Sequence, residues 1–294
     1  MGGKWTEQKL DAFIAYVKAY LTIMKKNPYW KTIYFDGFAG MGRRIIEKEK
    51  NNFFIFLEDD FQSLIEDIRL YEGSVKRVLS LPELYRFNYY YFIDSKSENV
   101  AKLKELAKEY QNKIIPGKIE IRQEDCNKEL LKLAAALKNK NEKLASLIFI
   151  DPFGMQVNWE SIASLKKTRS DIWILIPSGV IINRLLLKTG QIKYKEKLEK
   201  FFGLPINEIR QFFYSEKKTD GLFGVINTTK KKNNPIEKIV QLYVLQLKTV
   251  WKNVTEKPLI LKNSKNVSIY HLLFASNNAN AKKIASQIIG KKQK

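Results

Sequence analysis

Two segments of the chain end an apolar run in an aspartate followed by a glycine-bearing loop: Tyr34-Phe35-Asp36-Gly37-Phe38-Ala39-Gly40-Met41-Gly42 and Ile148-Phe149-Ile150-Asp151-Pro152-Phe153-Gly154. A buried parallel strand has this form where it delivers polar groups to a ligand crevice. Asp94 closes a third apolar run, Tyr89 to Ile93, and Asp125 follows a fourth segment, Lys118 to Arg122. Carboxylates at successive strand ends suggest a nucleotide-type site at one edge of a sheet. The first loop lacks the Gly-Lys-Ser/Thr of a phosphate-binding loop. Asp36, read as standing at the loop mouth, would repel a pyrophosphate, so a cationic or hydroxyl-bearing ligand suits it better. Gly40 and Gly42 allow a close backbone approach and a positive φ, with Phe38 and Ala39 between the acid and the glycines. The plainer alternative is a tight turn capped by Asp36.

Asp94 stands where an acid accepts hydrogen bonds from ribose hydroxyls, or else it caps the next helix. The usual spacing of roughly 20 residues from the glycine loop fits a count back to Gly73 and fails from Gly42. Residues 43–72 therefore read as an insertion after the first strand, placed over the mouth of the site, and the first crossover helix begins at Ser74. Asp125 is placed to reach an adenine amine, with Cys126 beside it as a small packing residue. In Asp151-Pro152-Phe153-Gly154 the carboxylate can hold an exocyclic amine, the proline stiffens the loop and the ring can stack on a base. A rigid loop with a core phenylalanine is the alternative. Asn183 and Arg184 can contact substrate or phosphate, or begin a solvated helix. His271 is the single histidine and lies in an alternating strand, so packing suits it better than general-base work. No Ser-His-Asp or metal-ligand constellation is expected, and a lone cysteine permits neither an intrachain disulfide nor a cysteine-rich zinc site.

The elements that position these residues follow from hydrophobic period. Thr6 to about Lys26 repeats apolar residues at helical spacing, with Thr6 as N-cap and Asn27-Pro28 as the stop. Strands are expected at Lys31–Phe35, Tyr89–Ile93, Lys118–Arg122, Leu147–Ile150 and Asp171–Ile176. Helices alternate with them from Ser74 to a stop near Pro82 and at Glu98–Tyr110, Lys128–Leu137 and Trp159–Lys167. That alternation implies an α/β fold, a Rossmann-like, doubly wound and mostly parallel sheet. Residues 183–256 read as a mostly helical basic subdomain. Pro258–Leu261 and Val267–Ala275 read as a C-terminal antiparallel strand pair, and Ala279–Ile289 as a closing helix. Residues 1–294 then make a single domain.

The chain has 294 residues, is 45% hydrophobic and carries a net charge of +21. It has no apolar run near the roughly 18 residues of a membrane span and no apolar signal segment after Met1, so a cytoplasmic protein with no membrane partner is expected. The charge suits a polyanion such as nucleic acid. Yet 43 of the 52 basic residues are lysine, the residue that accumulates on solvated faces. Lys230-Lys231-Lys232 and Lys291-Lys292-Gln293-Lys294 read as an exposed loop and a tail.

In order, Asp36 to Gly42, Asp94, Asp125 and Asp151 to Gly154 resemble the motifs of S-adenosylmethionine-dependent methyltransferases. More narrowly, the chain resembles the three-Cys-motif partner (TcmP) family. The shared features are Trp5 before a Lys-Leu helix, Tyr34 to Gly42, Gly73-Ser74, Asp151 to Trp159, Asp171 to Pro177 with Asn183-Arg184, and Leu272 to Asn277. The resemblance implies a class I methyltransferase-like fold with S-adenosylmethionine in the crevice. Asp36 and the glycines would face its methionine part, Asp94 the ribose and Asp125 the adenine. It also implies a partner protein carrying a three-cysteine motif, which this chain lacks. Amine-directed nucleic-acid methyltransferases place Asp/Asn-Pro-Pro before an aromatic residue. Here Phe153 comes one position early and Gly154 fills its place.

Overall fold

The computed structural model describes residues 4–40, 73–114, 117–221 and 224–293, of which 217–221 and 224–228 by backbone alone. Gly42 and the inserted stretch 43–72 lie outside the described residues.

Strand β1 (Lys31–Asp36) sits between β2 (Tyr89–Asp94) and β4 (Leu144–Ile150). β3 (Lys118–Gln123) pairs with β2, and β5 (Ser170–Ile176) with β4, all in parallel. Beside β5 runs the antiparallel β10 (Ser268–Ser276), whose other edge carries β8 (Asn253–Val254) and β9 (Leu259–Lys262). The sheet order is β3-β2-β1-β4-β5-β10-β8, with β9 also on β10. The expected α/β class and the C-terminal antiparallel strand pair are both present.

A strand covered on both faces must be apolar at every position, and β4 is buried at all seven residues. Period 2 divides its side chains between two cores. Ile148 and Ile150 join Ile33, Phe35, Ile172, Ile174 and Leu273 on one face. Leu147 and Phe149 join Tyr34, Tyr90, Phe92, Trp173 and Phe274 on the other. The first core is roofed by α4 (Cys126–Lys138), α5 (Trp159–Ala163) and the later helices α7 (Lys195–Phe202), α8 (Ile206–Phe213) and α9 (Pro235–Val250). The second is roofed by α1 (Lys4–Lys25), α2 (Ser74–Leu79), α3 (Ser97–Gln111) and α10 (Ala279–Lys292). The crossovers between β1, β2 and β3 thus lie on one face and those between β3, β4 and β5 on the other, which is double winding.

Several expectations need correction. Helix α1 begins at Lys4, so Thr6 lies within its first turn; its hydroxyl is buried without a partner instead of capping. Residues 183–256 hold α7, α8, α9 and the short α6 (Asn183–Leu185), but also an antiparallel hairpin, β6 (Tyr214–Gly221) and β7 (Gly224–Lys231). That hairpin is polar along most of its length, so hydrophobic period does not announce it. Lys230 and Lys231 belong to β7 and are no loop. Lys292 is no free tail: it ends α10, and its Nζ bonds Asp11 Oδ2 at 2.9 Å, tying α10 to α1.

Candidate functional site at the carboxyl edge of the sheet

β1, β2, β3, β4 and β5 all point their carboxyl ends to one edge, which gathers Asp36, Asp94, Asp125 and the Asp151 loop. The loop after β1 is stitched to its neighbours through its own backbone. Gly37 N–H donates to Phe149 O at 3.0 Å and Ala39 N–H to Ile93 O at 2.9 Å. Phe38 N–H donates to Asp36 Oδ1 at 3.2 Å and Gly40 N–H to Asp94 Oδ2 at 3.0 Å. All four N–H groups are consumed by the protein. A phosphate cradle needs such groups free, so the described part of the loop, up to Gly40, is not one. Gly40 has φ +61°, and a Cβ there would meet none of the described residues within 4 Å. A Cβ on Gly37 would lie 2.5 Å from Cys126 Sγ and 2.8 Å from Ile150 Cδ1. Glycine is needed at that position for close approach.

Asp36 does not stand at the loop mouth. It is fully buried beneath the loop, where Oδ2 accepts from the Tyr34 hydroxyl at 2.9 Å and the Ser74 hydroxyl at 2.5 Å. Burial raises its pKa to about 6 against the lowering effect of those hydroxyls. Asp36 therefore shapes the loop from below through Phe38, and α2 begins at Ser74 where that residue closes the cluster. Phe38 is half-buried against the first core and Ala39 is buried in the second.

Asp94 is half-exposed at the mouth. Its Oδ1 accepts from Lys96 N–H at 2.8 Å and Asn99 Nδ2 at 3.0 Å, and its Oδ2 holds Gly40. It therefore steadies the start of α3 and clamps the first loop together, and three of its roughly four acceptor directions are used. Asp125 is the N-cap of α4: its Oδ1 accepts from Asn127 N–H at 2.9 Å and Lys128 N–H at 3.3 Å. The carboxylate stays exposed at the same edge. Cys126 is buried and packs as expected, its thiol pushed well up by burial.

The fourth acid is held by a residue that sequence reasoning passed over. Asp151 is 5% exposed, and Lys9 Nζ from α1 bonds both of its carboxylate oxygens, at 2.8 and 2.7 Å. Lys9 itself is 1% exposed and lies 5.3 Å from the ring centroid of Trp5, which stacks on Tyr270. Tyr270 in turn donates to Phe153 O at 3.3 Å. A cation thus already takes the place where an exocyclic amine was expected. Pro152 is buried, while Phe153 is half-buried against the second core, so much of its ring is packing. Gly154 is buried, and a Cβ there would press to 3.2 Å from Ile181 Cδ1.

After β5 the chain makes a π-helical turn, Ser178–Ile182, and continues into α6. Asn183 is half-buried, and its O and Oδ1 accept from Lys231 Nζ at 3.0 and 2.8 Å, so its polar groups serve to dock the hairpin. Arg184 is half-buried in the same helix. The turn also sets Ser178 Oγ 2.6 Å from His271 Nδ1, a pairing across 93 residues that no motif announces. Both are buried, and desolvation lowers the His271 pKa to about 4, so the imidazole is neutral packing. Among the described residues no three His, Cys, Asp or Glu side chains group as a metal site, and no helix is long and apolar enough to cross a membrane.

These features define a mixed α/β protein with a mostly parallel central sheet flanked by helices, with Asp94 and Asp125 accessible at its carboxyl edge and Asp36 and Asp151 buried behind them. No family model and no curated protein matches the chain. Among solved structures it is similar to the protein LPL1258 from Legionella pneumophila str. Philadelphia 1, of the family model DUF519. The identity is 14%, over 90% of this chain and 96% of that one, with a TM-score of 0.38.

Proposed function

We propose that this chain is an S-adenosylmethionine-dependent methyltransferase of class I architecture, the reading that its resemblance to the three-Cys-motif partner family implies, and that it acts on nucleic acid, a substrate that suits its net charge of +21. The observation that carries it is the first loop. Its N–H groups from Gly37 to Gly40 are spent, none of the described residues stands in front of Gly40, and Asp94 and Asp125 stand on neighbouring strand ends. Such a crevice rejects a diphosphate and suits a ligand with a cationic centre, ribose hydroxyls and an adenine amine. Asp94 would accept from the ribose with its remaining acceptor direction, Asp125 from the adenine amine through Oδ2, and Gly40 would pass close to the ligand backbone. When bound, the cofactor supplies a methyl group activated by its sulfonium, so alignment of the acceptor carries much of the rate. Asp151, held rigid by Lys9, and the Pro152 carbonyl would orient the acceptor amine, with the exposed part of Phe153 against its base. The antiparallel β10 beside β5 also supports this reading, since a methyltransferase-type sheet carries an antiparallel strand at that place.

The Lys9–Asp151 pair favours a second reading, in which the chain keeps the fold and binds nucleic acid or a three-Cys-motif protein without transferring a methyl group. Incubation with radiolabelled S-adenosylmethionine and a panel of DNA, RNA and protein separates the two, run with Asp94→Ala and Asp151→Asn. Label in nucleic acid that both variants lose supports the first reading. Cofactor binding absent from calorimetry, alone and with a three-Cys-motif partner, overturns it.

A further inference from the structure

Between β7 and the first turns of α9 lies a groove of about 740 Å³, within the size range of ligand sites. Its walls include Ser215, Lys230, Lys232, Asn233, Asn234 and Lys238. The base of the hairpin is fixed from several sides. Lys231 Nζ donates to Asn183 and also to Leu186 O at 2.5 Å, and Lys232 Nζ to Gln211 O at 2.8 Å. The Tyr214 hydroxyl donates to Leu187 O at 2.9 Å, with Arg210 over its ring. The groove is therefore a standing feature of the fold.

Its lining is rich in donors. Four lysines, a serine and three side-chain amides line it with one carboxylate, that of Glu237, and none of the described lining residues is aromatic. Lys231 turns its ammonium to Asn183 and Leu186 and Lys232 bonds Gln211 O, which leaves Lys230 and Lys238 as the principal cations. Amines and amides without a stacking ring are the equipment for phosphate, since reading bases on a single strand takes a ring to stack on. The groove also adjoins the carboxyl edge by direct contact: Lys231 holds Asn183, and the turn just before Asn183 lays Ile181 against Gly154 of the Asp151 loop.

We propose that this groove binds the sugar-phosphate backbone of a nucleic-acid strand, without selecting its sequence, and leads that strand to the Asp151 loop. The last clause rests on the nucleic-acid reading above; the binding itself does not. The test is fluorescence anisotropy with labelled single-stranded and duplex oligonucleotides across a salt series, without cofactor. The wild type is compared with Lys230→Gln/Lys238→Gln and with Lys104→Gln/Lys108→Gln, which removes the same charge from α3 at the opposite edge of the sheet. The groove variant should weaken binding about tenfold at low salt and flatten the log–log salt slope by about 1.5, near two phosphate contacts. The α3 variant should stay within about twofold, Lys230→Arg/Lys238→Arg should restore affinity, and melting temperatures should agree. The proposal is overturned by equal weakening in both glutamine variants, by no weakening in the groove variant, or by no binding in the wild type. Displacement by tripolyphosphate or polyglutamate at matched charge, as effective as by oligonucleotide, also overturns it in favour of a small polyanion or an acidic peptide. Salt-sensitive groove binding without any methyl transfer would overturn the enzymatic reading and leave the groove standing. Methyl transfer to nucleic acid undiminished in the groove variant would do the reverse.

Discussion

Lys9 and Asp151 lie 142 residues apart in sequence, yet the Lys9 ammonium sits 2.8 and 2.7 Å from the two carboxylate oxygens, and both residues are almost wholly buried. The pair joins α1 to the end of β4 where the chemistry is proposed. Removing one member of a buried pair strands the other charge, at a cost of about 3–5 kcal/mol. Lys9→Met should therefore destabilise by that order, and Lys9→Met/Asp151→Leu should recover a large part of it. A double-mutant cycle by urea denaturation reads the coupling. A double variant no more stable than Lys9→Met would show that Lys9 does not act through Asp151.

Two buried groups pull stability in opposite directions with pH. Asp36 has a folded pKa of about 6, above its ordinary 3.8, so between these values the folded chain keeps a proton that the unfolded chain has lost. Its contribution is full below the lower value and is lost as pH rises through the upper one, on the order of 3 kcal/mol. His271 has a folded pKa of about 4, below its ordinary 6.5, so the unfolded chain takes the proton first. Its contribution is full above the upper value and is lost on acidification, again on the order of 3 kcal/mol. The two largely cancel in the wild type. Relative to wild type, Asp36→Asn should gain stability with rising pH across that window and His271→Gln should lose it, in urea melts taken at intervals of half a pH unit.

The two glycines of the first loop should respond differently to alanine. Gly37→Ala drives a Cβ into Cys126 and Ile150 and should cost several kcal/mol, with a large fall in melting temperature. At Gly40 the Cβ meets none of the described residues, and the positive φ is the strain, at about 1–2 kcal/mol. If the cofactor lies there, Gly40→Ala should nonetheless weaken S-adenosylmethionine by tenfold or more in calorimetry. Unchanged affinity would place the ligand elsewhere.

Asp94→Ala releases Gly40 and the start of α3 together. The fold should lose about 1–2 kcal/mol from two or three missing hydrogen bonds, while the Kd for S-adenosylmethionine should rise by well over tenfold. Asp125→Asn keeps a capping oxygen for α4 and should weaken the cofactor only a few-fold. Similar losses from both would point to a shared structural effect, which circular dichroism would reveal.

The sequence was most legible where structure is local. Continuous apolar runs marked β1, β2, β4 and β5, because burial on both faces leaves polar residues little place except the ends, and alternation marked the more exposed edge strand β3. The acids at those ends stand out for the same reason, and Ser74 as the start of a helix followed from counting back from Asp94. Hydrophobic period could not show the hairpin over Tyr214–Lys231, since a mostly polar ribbon carries little apolar pattern.

What the sequence alone determined is the layered α/β arrangement and the edge at which its acids collect, because strand direction and double winding follow from the order of the elements. Which of those acids faces a ligand was decided only in three dimensions. Tyr34 and Ser74 seal Asp36 under the loop, Asp94 turns back to hold Gly40, and Lys9 arrives from the far end of the chain to take both oxygens of Asp151. Partners so distant in sequence leave no period or spacing to read, and a carboxylate's role depends on which donors reach it first.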